Sequence, residues 1–129
     1  MGLQVFDERF PSLSGVQIVA ADTTTLKQLV SVGQPGGLLI DAILLSNTDG
    51  IDHNVDFWFT LSAVNYGIGS IKVPAGAGKA GVAAVDAVPW LYPNSRKAII
   101  ITNLSALYFS VEVSVVTGAV QGVAFGGYT

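Results

Sequence analysis

The sequence predicts an all-β fold, an antiparallel β-sandwich or jelly-roll-like domain of about seven to nine strands with an extended N-terminal arm. Three observations lead to this prediction. Apolar and polar residues alternate with the strand period of two across Leu107–Val116, and they do so again across Val55–Leu61. No segment has a persuasive helical pattern, and the remaining apolar runs are short and bounded by glycine and proline.

The composition is typical of a subunit that other subunits cover. The chain has 129 residues, of which 50% are hydrophobic and only 12% are charged, whereas an ordinary soluble domain has about 25% charged residues. No apolar run reaches the ~18 residues that a membrane helix needs, so we expect a soluble part of a larger assembly. A net charge of -3 argues against direct nucleic-acid binding. The absence of cysteine excludes disulfides and thiolate sites.

Residues 1–15 are predicted to form an arm, and residues 16–129 a single β-sandwich domain. The arm has neither the positively charged start nor the long apolar core of a signal peptide. Its scattered large apolar residues are poor choices for a solvated tail. Two interpretations stay open, an edge strand folded onto its own domain and an arm that packs on a neighbouring subunit.

The first part of the domain contains two short predicted strands. Val16–Ala20 is an apolar run that suits a first core strand, and Leu26–Val32 alternates weakly. Asp22–Thr25 between them is predicted to be a turn. Gly33–Gly37 is a strong loop signal, because proline fixes one φ angle and glycine permits positive ones.

The next segment, Leu38–Ser46, is apolar at nearly every position, which predicts a central strand buried on both faces. Asp41 is the exception, and its carboxylate must be hydrogen-bonded, placed at a subunit seam or exposed. The polar connection Asn47–Asn54 leads into the strand Val55–Leu61, whose polar face carries Trp58. That tryptophan either packs over its own sheet or marks a contact surface.

The second half of the chain contains further short strand predictions, at Ile68–Val73, Val82–Val85, Arg96–Thr102 and Val120–Phe125. Val88–Asn94 is a proline-punctuated loop rich in aromatic residues, which either plugs one end of the sandwich or serves as a docking surface. Residues 74–80 superficially resemble a phosphate-binding loop. They lack a serine or threonine after Lys79, so we predict a hairpin tip.

Candidate chemistry is confined to one place, where the single histidine, His53, lies among Asp49, Asp52 and Asp56. A metal or acid–base site there is conceivable. Ordinary acidic turn residues explain the cluster better, because there is no second histidine and the spacing departs from a calcium loop. The sequence contains no catalytic constellation and gives no reason to expect a cofactor.

Four segments in the second half of the chain, taken in order, resemble parts of small virion structural proteins of tailed bacteriophages. They are Val-Pro-Ala-Gly-Ala-Gly at 73–78, Ala-Ala-Val-Asp at 83–86, Val-Glu-Val-Ser-Val-Val-Thr-Gly at 111–118 and Val-Ala-Phe-Gly-Gly-Tyr at 123–128. The Asn-Thr-Asp turn at 47–49 extends the resemblance, and the loop Pro89–Arg96 departs from it.

The resemblance implies a β-sandwich capsid decoration or cement subunit, commonly a homotrimer, without catalytic residues. Its partners would be the major capsid protein or other virion subunits, and its place the capsid surface after synthesis in the host cytoplasm. Low charge and an apolar arm suit adhesion of this kind. The residues expected to make the contacts are Leu3, Val5, Phe6 and Phe10 in the arm, with Trp58, Trp90 and Tyr92 as aromatic contacts.

Two other interpretations remain. The chain could occupy another position in the particle, as a tail-tube, head–tail connector or head-fibre subunit, and would then form rings or stacks. It could instead be a carbohydrate-binding module on the same sandwich, in which Trp58, Trp90 and Tyr92 would stack on sugars.

Overall fold

The strands of this protein form two antiparallel sheets in a computed structural model that describes residues 10–30, 37–79, 81–91, 99–102 and 105–128. The strands, in chain order, are β1 (Phe10–Val19), β2 (Lys27–Val30), β3 (Leu38–Asn47), β4 (His53–Leu61), β5 (Val64–Val73), β6 (Val85–Asp86), β7 (Ile99–Ile101), β8 (Ser105–Val111) and β9 (Ala119–Tyr128). A 3₁₀ turn at Ala20–Asp22 and a one-turn helix, α1 (Val88–Leu91), complete the assigned elements of this part of the chain. The all-β prediction is confirmed.

The order of the strands is that of a jelly roll. The five-stranded sheet runs β1-β9-β3-β6, and β7 pairs with another stretch of β3 on the side away from β9. The four-stranded sheet runs β2-β8-β4-β5. If β6 and β7 are counted as one interrupted strand, the two sheets have the 1-8-3-6 and 2-7-4-5 orders of the double Greek key.

The core lies between the sheets and takes alternate residues from both. Phe57 on β4 and Phe109 on β8 are fully buried, with ring centroids 6.0 Å apart. Ile18, Ile43 and Leu45 of the five-stranded sheet are also fully buried, in the same apolar cluster. Burying one such side chain contributes about 1.5–3 kcal/mol, which is why alternation alone could predict these strands.

The alternating stretch Leu107–Val116 forms a shorter strand than predicted. Its first part is β8, but the strand ends at Val111 and residues 112–118 leave the sheet. Val113 was expected in the core and is 61% exposed, whereas Val115 is buried as expected. The chain departs here because residues 116 and 117 bond to the β3–β4 connection rather than to a neighbouring strand.

Burial on both faces of Leu38–Ser46 is wrong, because β3 buries one face only. The strand is central, between β9 on one side and β6 and β7 on the other, yet Leu44 is exposed on its outer face. Asp41 is exposed as well. It is the extra residue of a β-bulge, since Ile40 pairs with Gly126 and Ala42 with Phe125.

Residues 10–15 of the predicted arm form the first part of β1, an edge strand antiparallel to β9. Residues 1–9, with the predicted contacts Leu3, Val5 and Phe6, lie outside the described residues. Phe10 opens β1, where its backbone pairs with Tyr128.

The glycine-rich segment after β5 forms a tight turn closed by an antiparallel bridge between Lys79 and Val82, in agreement with the predicted hairpin tip. Gly76 and Gly78 have φ angles of 81° and 94°, a region that glycine enters without strain. The predicted loop Val88–Asn94 instead begins with α1. The Asp86 carboxylate starts that helix by accepting a hydrogen bond from the Val88 backbone N–H at 3.1 Å.

Candidate functional sites

The acid–imidazole cluster predicted at 49–56 separates into parts that do not share a site. Asp49 and His53 are buried and face each other, with His53 Nε2 2.7 Å from Asp49 Oδ2. Asp52 is exposed and pairs instead with Lys72, 3.3 Å away. Asp56 lies one position further along β4 than the buried Val55, so its side chain is on the outer face of the sheet.

The Asp49 carboxylate is a structural clamp. Besides His53, it accepts hydrogen bonds from the backbone N–H groups of Val116 at 2.9 Å, Thr117 at 3.0 Å and Gly50 at 3.0 Å. The hydrogen bond to His53, followed by those from Val116 and Thr117, holds the pKa of Asp49 well below its ordinary value. The clamp therefore joins the β3–β4 connection to the β8–β9 connection.

Asn47 extends this network to β5. Its Nδ2 donates to the carbonyl oxygens of Ile51 at 2.8 Å and Val73 at 3.1 Å, and its Oδ1 accepts from the Asp49 N–H at 2.9 Å. Within the described part of the chain, His53 Nδ1 is buried and has no hydrogen-bond partner. Asn47, Asp49 and His53 are all buried, and their hydrogen bonds hold together the connections at this end of the sandwich.

On the outer face of the five-stranded sheet, three cross-strand rows over β1, β9 and β3 are uncharged, while the exposed Asp41 at the β3 bulge and Asp86, opposite Leu44 on β6, border them. Cross-strand pairing places its residues in rows, because directly opposed residues share a face. From one end to the other, the rows are Leu13–Phe125–Ala42, Gly15–Val123–Leu44 and Gln17–Gln121–Ser46.

The large apolar side chains of these rows are all exposed, Leu13 by 69%, Phe125 by 40% and Leu44 by 39%. The glutamine row is joined by hydrogen bonds, from Ser46 Oγ to Gln121 at 3.2 Å and from Gln121 Nε2 to Gln17 at 2.9 Å. In an ordinary β-sandwich, the strand residues that face the solvent are mostly polar or charged. The uncharged surface formed by these three rows is called the apolar face below.

The outer face of the four-stranded sheet is polar and aromatic. One cross-strand row runs Gly67–Trp58–Tyr108–Gln28 across all four strands. The neighbouring row contains Asp56, opposite Ser70 on one side and Ser110 on the other. Glu112, just beyond β8, lies close enough to bond both Ser70 and Asp56. The surface formed by these residues is called the aromatic face below.

The pKa values of Asp56 and Glu112, the two carboxyl groups of the aromatic face, shift in opposite directions. Burial, followed by the hydrogen bond with Glu112, raises the pKa of Asp56. Hydrogen bonds from Asp56, Asn54 and Ser70 lower the pKa of Glu112. The pair thus places two neighbouring carboxyl groups of different acidity on the outer surface of the sheet.

The two predicted aromatic contacts that lie within the described residues, Trp58 and Trp90, differ in how exposed they are. Trp58 is half-buried over its own sheet, the first of the two interpretations left open for it, while Trp90 on α1 is 74% exposed. Tyr92 lies outside the described residues. Residue patterns did not single out Tyr108 with Trp58, or Asp56 with Glu112, because their pairing depends on which strands are neighbours.

An apolar pocket of about 300 Å³ opens beside α1, lined by Phe59, Ile68, Leu91, Ile99 and Ile100. Among the described residues, no group of three or more His, Asp or Glu side chains is arranged to hold a metal ion. The described part of the chain also has no helix with the length and apolar character needed to cross a membrane.

Comparison of the chain with protein-family models, curated proteins and solved structures finds no match. The resemblance to virion proteins therefore stays a prediction from the sequence.

Proposed function

We propose that this chain is a non-enzymatic structural subunit of a tailed-phage particle, a decoration or cement protein that stabilises the capsid through apolar subunit contacts. The observation that carries the proposal is the apolar face. Rows of exposed apolar side chains on a sheet surface cost free energy in water and are typical of a surface that another subunit covers.

The continuity of this face across neighbouring strands suits an adhesive role. Rows on three adjacent strands present a continuous surface, and burying apolar area contributes about 25 cal/mol per Å² before association costs are subtracted. A stable interface buries about 800 Å² on each partner. We propose that other copies of this chain, in a homotrimer, and the major capsid protein cover the face between them.

The fold and the buried polar network are compatible with this role without establishing it. Jelly rolls build viral capsid subunits, and they also build lectin domains. The only histidine is enclosed and bonded to Asp49, where it supports the connections at one end of the sandwich. We therefore assign the residues of this network to stability and not to catalysis.

Light scattering of the purified chain at several concentrations tests the proposal together with one variant. We expect a discrete trimer for the unmodified chain. Phe125→Lys places a charge on β9, the central strand of the apolar face, and should shift the mass to that of the monomer. The matched control is Val64→Lys, an equally conspicuous exposed apolar residue on β5 of the other sheet, which should leave the mass unchanged.

A monomer at every concentration would contradict self-association through this face, as would a trimer that Phe125→Lys leaves intact. Negative-stain micrographs of the same samples separate the positions in the particle. Rings or stacks would favour a tail-tube or connector subunit over a decoration subunit. Binding of the chain to purified capsids that lack it, with loss of binding in Phe125→Lys, would support the decoration role directly.

A further inference from the structure

The indole of Trp58 lies flat on the aromatic face. A Cβ atom built on Gly67 would be 3.3 Å from Cζ3, 3.5 Å from Cε3 and 3.7 Å from Cη2 of the ring. If this Cβ position lay in the ring plane beyond the edge, it would be much closer to one of these consecutive atoms than to the other two. The similar distances therefore place it above the ring plane. The six-membered ring therefore covers the Gly67 backbone, and its opposite face is directed outward.

The other end of the same indole is fixed on the far side of β4. Its Nε1 donates to Ser110 Oγ on β8 at 3.4 Å, while its six-membered ring reaches over β5. A side chain anchored at both ends in this way stays in place without a ligand. An alanine at position 67 would be in tight contact with the ring face, and the indole would have to shift by a few tenths of an ångström to accommodate it.

Tyr108 continues the flat surface in the opposite direction. It faces Trp58 across the strand pair, and its hydroxyl donates to Gln28 Oε1 on β2 at 2.8 Å. The row from Gly67 to Gln28 crosses all four strands, so it is about 14 Å long at ~4.8 Å per strand spacing. This strip is long enough for a short oligomer in an extended conformation. The Trp58 indole near its middle offers a flat surface on which one ring of such an oligomer can stack.

Polar groups flank this strip on one side. Glu112 accepts from Ser70 Oγ at 3.2 Å and from Asn54 Nδ2 at 3.4 Å, and it shares a hydrogen bond with Asp56. Carboxyl, hydroxyl and amide groups held in one connected set can donate to and accept from several ligand hydroxyls at once.

We propose that the aromatic face binds a neutral oligosaccharide, with one sugar ring stacked on the Trp58 indole and its hydroxyl groups bonded by the Asp56–Glu112–Ser70 set. A pyranose ring has an apolar C–H face for the indole and a rim of hydroxyls for the polar groups. This function goes beyond the structural role proposed above and uses the opposite sheet, which assembly through the apolar face leaves open.

The chemistry of the aromatic face disfavours other occupants. The two carboxyl groups repel the phosphates of a nucleic acid. A second copy of this chain is a poorer fit, because the bonded polar set would have to lose solvent without gaining partners. A neutral sugar avoids both costs, since it brings hydroxyl groups that replace the lost water.

NMR of the ¹⁵N-labelled full chain tests the proposal, because the chain has two tryptophans and so two indole N–H signals to follow. The probes are cellohexaose, laminarihexaose, maltohexaose and N-acetylchitohexaose, titrated separately. We expect at least one probe to shift the Trp58 signal, with a Kd in the roughly millimolar to micromolar range. Trp58→Phe assigns the signal by removing it.

Trp58→Ala should weaken binding of that probe about tenfold or more. Trp58→Tyr should retain part of the binding by keeping a flat ring. Glu112→Gln, an exposed site where folding is not at risk, should weaken binding several-fold through the loss of a charged acceptor. Leu13→Ala is the control, because Leu13 is 69% exposed but lies on β1 of the other sheet. It should bind as the unmodified chain does.

Three results would each overturn the sugar proposal: no probe shifts the Trp58 signal, only the Trp90 signal moves, or folded Trp58→Ala and Glu112→Gln bind the probe normally. None of them bears on assembly. Phe125→Lys should lose the oligomer and keep sugar binding, and the Trp58 variants should do the reverse, so failure of one proposal is distinguishable from failure of the other.

Discussion

Replacing Asn47 with alanine should destabilise the fold far more than the loss of one polar side chain from a loop would suggest. Asn47 is fully buried and uses both ends of its amide, donating to Ile51 and Val73 and accepting from the Asp49 N–H. In Asn47→Ala the Val73 carbonyl and the Asp49 N–H lose their partners in buried surroundings, whereas the Ile51 carbonyl is near solvent and can be hydrated.

The magnitude follows from those two buried groups. Each buried donor or acceptor left without a partner costs about 1–3 kcal/mol, so we expect a loss of roughly 2–6 kcal/mol in the free energy of unfolding. Urea unfolding followed by circular dichroism measures it as a lower midpoint at an unchanged slope. A domain with a typical stability of ~5–15 kcal/mol would lose a large fraction of its margin.

The matched control is Gln17→Ala on the exposed outer face of β1. Gln17 also accepts a side-chain hydrogen bond, from Gln121 at 2.9 Å, but in water both groups are hydrated when that bond is lost. Its effect should stay within about 0.5 kcal/mol. If Asn47→Ala proved as mild as Gln17→Ala, the buried network would not support the fold and the reasoning would be refuted.

Two further predictions concern the Asp49 carboxylate and the close approach of the backbones at Gly126. Asp49 has a pKa in the folded state below its ordinary value of 3.8, so its stabilising contribution is fully present above that value and is lost as pH falls through the folded-state pKa. The destabilisation caused by Asp49→Asn, measured by urea unfolding, should therefore be constant near neutral pH and become smaller below about pH 4; a pH-independent difference would contradict the assignment of the clamp. Gly126→Ala should cost about 1–3 kcal/mol, because a Cβ there would collide with the Leu39 carbonyl group at the β3 bulge. Gly15→Ala in the same sheet has only ordinary contacts and should be nearly neutral in thermal melts; equal effects would show that the close strand approach at Gly126 is not a constraint.

Prediction from the sequence was wrong where apolar and polar residues continue to alternate although the strand has already ended. Val113 continues the alternation of β8 in the sequence, yet it is exposed because the hydrogen bonds of residues 116 and 117 with Asp49 draw the segment away from the sheet. Those partners are 67 and 68 residues apart in the chain. No local pattern contains that information.

The faces of the sandwich show the same division between local and distant information. Alternation in β4 and β8 correctly assigned Trp58 and Tyr108 to the outward side of their strands. Only the order of strands places them opposite each other, and only the backbone at Gly67 leaves room for the indole to lie flat. The low charge of the chain likewise predicted an exposed apolar surface, but only strand pairing shows that apolar side chains line up on the outer face of the five-stranded sheet.

The sequence by itself determined the all-β class, the existence of most strands and the core-facing side of β4 and β8, because hydrophobic burial with a period of two is a local property. The tertiary structure decided the jelly-roll order, the bulge that exposes Asp41 and the partners of Asp49, because each depends on which distant segments become neighbours. It also decided that uncharged side chains collect on one outer face and aromatic and carboxyl groups on the other, since a cross-strand row is assembled from segments that are far apart in the chain.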